Sequence, residues 1–225
     1  MLKSKKRQNQ ITELVILTIL LTFCIFLWDT FFIYPIKIFV VFFHEMSHAF
    51  SAFLSGGNVN SINIGLDLSG QCEIEGGSTI LIAISGYLGS LFFGILFFLS
   101  PNNTKIGKWI IISTSAIVFF FTVTVSTSFL FSLIAFTICS ILIAASFFIR
   151  IQIISILTRA LGLLSCIYLL FDIKHDIFQK NNTITDASIL SNLLGISETV
   201  IGLIWLVLSF IVIIFALRIT YKKCR

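Results

Sequence analysis

Seven stretches of this chain, at about residues 11–28, 33–55, 79–100, 109–127, 129–149, 153–173 and 199–218, are apolar enough and long enough to cross about 30 Å of hydrocarbon. No water reaches a peptide group at that depth, so each stretch must close its own hydrogen bonds as a helix. Hydrophobic residues make up 57% of the 225, and the mean hydropathy of +1.06 excludes an ordinary soluble domain. The predicted fold class is an all-α polytopic membrane protein of about six to seven transmembrane helices. One integral membrane domain over residues 1–225, set in the lipid bilayer of the cell membrane, is the simplest organisation, because no linker rich in Pro, Gly or charge divides the chain.

The net charge of +5 gathers at the two ends, in KSKKR and YKKCR. That distribution fits membrane orientation and predicts no nucleic-acid partner. An even number of crossings, with both ends cytoplasmic, places most basic residues on one side. The first apolar run ends in FLWDTFF, without the small-residue pattern of a cleavage site, so 11–28 is expected to stay as an anchor. Five scattered cysteines form no Cys-x-x-Cys pair and read as free thiols acting as small hydrophobes.

Two loops stand out. Residues 55–78 carry Gly pairs at both ends and the alternating stretch VNSINI, which predicts a short membrane-associated β-hairpin over about 57–77. Residues 179–198 are polar with a short amphipathic piece, and are expected at the interface. In run 79–100, Gly86, Ser90 and Gly94 recur every four residues and form a flat helical face for close packing, with the helix of His44 as the expected neighbour.

The apolar run FVVFFHEMSHAFSAFL holds His44, Glu45 and His48, three groups that cost energy at membrane depth and so mark a site. On a helix, residues four apart differ by about 40° in azimuth and about 6 Å in height. His44 and His48 therefore present their imidazoles on one face and can share one Zn2+, with Glu45 placed as a general base. A catalytic zinc takes a third protein ligand and keeps one position open. The helix end IYLLFDIKHDIF supplies candidates at spacings i, i+3 and i+4: Asp172, the deepest, is the first choice as oxygen ligand, while His175 or Asp176 could serve instead or stand behind the ligands. A helix end with solvated charges at the interface is the competing reading of this trio. Asp67, Glu73 and Glu75 fall in the hairpin loop, and Asp186 and Glu198 read as helix-capping residues.

These features together resemble the site-2 protease family of intramembrane zinc metallopeptidases. The resemblance rests on FFHEMSHAFSAFLSGG in an early membrane helix, the Gly-bounded loop after it, the helix SGYLGSLFFG and a late helix bearing an aspartate. It is closest to compact members without an inserted peptide-binding domain, in which a segment like FDIKHDIF precedes one like TDA. The Leu-Asp-Gly usual around the third ligand is absent: Asp172 sits in Leu170-Phe171-Asp172-Ile173, and Leu66-Asp67-Leu68-Ser69-Gly70 follows the zinc motif too closely. The resemblance implies a metallopeptidase-like domain that cleaves a peptide bond in or near a transmembrane segment of a membrane protein substrate. It implies His44 and His48 as zinc ligands, Glu45 as the base, and the hairpin as a clamp in which Ile62, Asn63 and Ile64 pair with substrate as an added strand. A non-catalytic protein of the same fold, binding a partner or a metal without hydrolysis, is the alternative.

Overall fold

The structure is a computed structural model that describes residues 2–28, 30–65, 68–126, 129–178 and 185–221, without the side chains of residues 2–6, 104, 105, 130, 170 and 172–178. In chain order the elements are α1 (Leu2–Phe26), α2 (Tyr34–Leu54), β1 (Asn58–Ile64), β2 (Gly70–Glu75), α3 (Thr79–Leu99), α4 (Thr104–Val125), α5 (Phe129–Phe148), α6 (Ile151–Phe178), α7 (Asp186–Leu194) and α8 (Glu198–Tyr221). Among the described residues, α1, α3, α4, α5, α6 and α8 contain segments long and apolar enough to cross a membrane, an even count of six. The chain is a multi-pass membrane protein.

The seventh apolar run forms α2, which is not one of the six. Lys37, His44, Glu45 and His48 dilute its hydropathy, and it is sheathed in protein instead of lipid: every residue from Ile38 to Met46 is buried. Pro35 starts this helix, where its missing N–H costs nothing. On one side α5 packs against α2, with the Phe42 and Phe131 rings stacked at 5.7 Å, and Val118 of α4 joins the same buried cluster.

On the other side lies α3, which packs against α2, α6, α7 and α8. Its small residues divide between two neighbours. Gly86 and Ser90 face α2, as the sequence predicts, whereas Gly94 faces α6: a Cβ on Gly94 would stand 2.9 Å from the Gly162 carbonyl oxygen. Backbones meet there at a distance only glycine permits. Tyr87, fully buried between these contacts, lies against Trp205 of α8 at 5.1 Å between ring centroids.

The predicted hairpin is present as an antiparallel β1–β2 pair, with Ile62 opposite Cys72 and Ile64 opposite Gly70, and a shift in register between Val59 and Ser61. Its base depends on the two Gly pairs. Gly56, Gly76 and Gly77 have φ of 82°, 75° and 78°, left-handed values that glycine adopts without penalty, and a Cβ on Gly57 would press on the Gly76 carbonyl at 2.9 Å. Ile62 and Ile64, two apart on β1, are buried, so their face of the strand is held against the bundle, and Ser61 on the opposite face is buried as well. Cys24, Cys72, Cys139 and Cys166 are free thiols, and all but Cys72 are buried.

Candidate metal centre

One turn of α2 separates His44 from His48, and their rings stand 4.8 Å apart at nearly a right angle. Both side chains, and that of Glu45, are buried. The room for two imidazoles comes from α3, where a Cβ on Gly86 would lie 2.5 Å from His48 Nε2 and 2.6 Å from His44 Cε1. The Gly86 face of α3 is thus the wall of the site.

Each ring is held from behind. His48 Nδ1 lies 2.8 Å from the Ile82 carbonyl oxygen, which can only accept, so Nδ1 carries the proton. His44 Nδ1 lies 3.3 Å from Ser90 Oγ. Both Nε2 atoms consequently turn toward a common point, the arrangement by which metal-binding histidines are oriented through their other nitrogen.

The carboxylate at that point belongs to Asp186. Its Oδ2 is 3.1 Å from His44 Nε2 and 3.1 Å from His48 Nε2, and one ligand atom from each of the three residues falls within 4.8 Å of the others. Burial opposes charge on Asp186, but its two histidine contacts outweigh it and hold the carboxyl well below the usual carboxylate range. The donor set fits zinc. Tetrahedral bonds of about 2.0–2.1 Å set neighbouring ligand atoms about 3.3 Å apart. A neutral His48 with its proton at Nδ1 also aims a lone pair at a carboxylate oxygen, so the pair needs a cation, either a proton or a metal, between them.

Asp186 arrives by a route of its own. Thr185 caps α7 through a reciprocal box with Ser188, in which Thr185 Oγ1 accepts from Ser188 N at 3.1 Å and Ser188 Oγ accepts from Thr185 N at 2.9 Å. Ala187 and Leu190 then bury themselves beside Tyr87 and Leu169. Sequence reading gave Asp186 a capping role only; the signal was an acid directly after a Thr cap, beside an amphipathic segment. Asp172, His175 and Asp176 lie on the last turns of α6, and their side chains are outside the described residues, as is Asp67.

The hairpin adjoins the site. A Cβ on Gly70 would collide with Glu45 Oε1. The Cys72 thiol is pushed up to about 12 by burial and by the negative charges of Glu45 and Glu73. Ile62 and Ile64 direct their side chains into the bundle, while Asn63 is half-buried between them.

No curated protein and no solved structure matches the chain. A family model does, from within α1 to within α8, and it spans every element that builds the site. With residues 16–216 matched by the model for Peptidase M50B-like proteins, the chain belongs to that family, among the site-2 proteases.

Proposed function

We propose that this chain is a zinc metalloendopeptidase of the cell membrane that hydrolyses a peptide bond in or near a transmembrane segment of a membrane protein substrate. The observation that carries this reading is the approach of Asp186 Oδ2 to 3.1 Å from both Nε2 atoms of a His-Glu-x-x-His helix. His44, His48 and Asp186 would hold one Zn2+ and leave a fourth position open. We assign the third position to Asp186 in place of Asp172, because its carboxylate oxygen reaches both imidazoles at once.

When bound, zinc acidifies water and polarises a carbonyl. Glu45, next to His44 and buried, is the general base: it takes the proton of the attacking water and returns it to the leaving amine. Ile82 and Ser90 hold the two imidazoles with both Nε2 atoms turned toward Asp186 Oδ2, where the ion would sit. A helical substrate shields its carbonyls, so the scissile segment must be extended, and the main chain of residues 62–64 on β1 offers it strand-like partners.

Metal analysis of the purified chain tests the site. About one zinc per chain is expected, with His44→Ala, His48→Ala and Asp186→Ala each reducing it well below that level, and Asp172→Ala leaving it near one. Zinc retained by Asp186→Ala and lost by Asp172→Ala would return the third position to Asp172.

A further inference from the structure

Gly70 opens β2 at the point where the hairpin touches the helix of Glu45. A Cβ on it would overlap Glu45 Oε1 and lie 2.6 Å and 2.8 Å from Cδ and Cγ of the same side chain. Backbone conformation gives no reason for glycine here, since the left-handed glycines among the described residues are Gly56, Gly76, Gly77 and Gly195. Space is the reason. Nor can the strand back away freely, because Ile64, opposite Gly70 in the register, is buried in one core cluster with Phe42, Phe43 and Met46 of α2.

We propose that Gly70 is a positioning residue: its bare Cα is the wall that sets where the Glu45 carboxylate stands relative to the cluster of His44, His48 and Asp186, so that the register of the hairpin and the alignment of the base are one variable. A substrate strand that pairs with the hairpin and shifts β2 would thereby move the base. The hairpin then acts on the chemistry as well as on substrate alignment. This rests on the role proposed for Glu45, and its test has a part that does not depend on that role.

The test is a double-mutant cycle of Gly70→Ala and Glu45→Asp in the full chain, with Asp chosen because it withdraws the carboxylate by one methylene. Thermal unfolding midpoint, zinc per chain, and kcat and KM on fluorescently labelled casein are measured for all four proteins. Gly70→Ala is expected to keep zinc near one per chain and KM within about twofold, and to lower kcat by about 10- to 100-fold, the scale of an ångström-level misplacement. In the Glu45→Asp background the same change is expected to cost less than about threefold, and the midpoint loss to shrink as well. Additive midpoints, or a Gly70→Ala protein with unchanged kcat, would overturn the proposal. If the wild-type chain binds zinc and cleaves no casein, a soluble protein outside its proposed substrate class, the midpoint cycle decides the Gly70 contact by itself: non-additive midpoints support it and additive midpoints overturn it.

Discussion

Glu45 shares a helix with both histidines but not their direction: one residue on from His44, it points about 100° around the axis, away from a ligand position and toward the hairpin. In the proposed mechanism that offset separates holding an ion from moving a proton. Glu45→Gln keeps the shape and removes the base, so zinc content should stay near one per chain while hydrolysis of casein or of any identified substrate falls by about 10²- to 10⁴-fold. Retained turnover would remove Glu45 from the mechanism. His44, Glu45 and His48 were legible in the sequence because helical geometry brings residues four apart together with no help from tertiary structure. Asp186 was not, because 142 positions separate it from His44 and only the packing of α7 beside α3 closes that gap. Its local context also told part of the truth, since the residue does begin a helix. Thr185 does the capping, which leaves the neighbouring carboxylate free to reach the histidines.

The α2–α3 contact serves the site and the α3–α6 contact serves the bundle, although the glycines of both lie on one helix at a spacing of eight. A methyl group at Gly86 meets the two imidazoles, whereas at Gly94 it meets Cys166 and the Gly162 backbone. Gly86→Ala and Gly94→Ala should each destabilise by about 1–3 kcal/mol through overpacking. Zinc should be lost only in Gly86→Ala. Unfolding midpoints and metal content of the two variants check this, and equal zinc in both would show that the imidazoles adjust to a smaller space. The face itself was readable from the i+4 spacing, but its division between two partners was not, because a small-residue stripe says that something approaches closely and not what. The hairpin was readable for a different reason: paired glycines flanking alternating residues are a local signal, and Gly56, Gly76 and Gly77 do adopt the conformations that signal implies. The standing of α2 apart from the six spans follows from Lys37, His44, Glu45 and His48 within it, whereas its burial depends on α3 and the hairpin packing against it, which hydropathy along the chain does not record.

At the scale of the whole bundle, a second set of charges inside apolar runs has a structural task. Arg159 of α6 is buried and forms an ion pair with Glu13 of α1; its Nη2 donates to Asn102 Oδ1 at 2.9 Å, and Asn102 Nδ2 donates to Thr220 Oγ1 at 3.3 Å. The guanidinium carbon also lies 5.9 Å from the ring centroids of Phe98 and Tyr221. Three helices and the turn after α3 are tied at one place, and none of these residues belongs to the metal centre. A charge within a membrane run calls for a partner, so Glu13 in run 11–28 and Arg159 in run 153–173 were a signal available in the sequence, although nothing local could pair them. Glu13→Ala leaves a buried arginine without its counter-charge and should cost about 3 kcal/mol, read as a lower unfolding midpoint in detergent micelles with zinc content unchanged. Replacing both partners, as Glu13→Ala with Arg159→Met, should recover much of that loss, because two apolar side chains leave no orphaned charge. If the double variant is no more stable than Glu13→Ala alone, α1 is held by its apolar contacts with α6 and the ion pair is incidental to the fold.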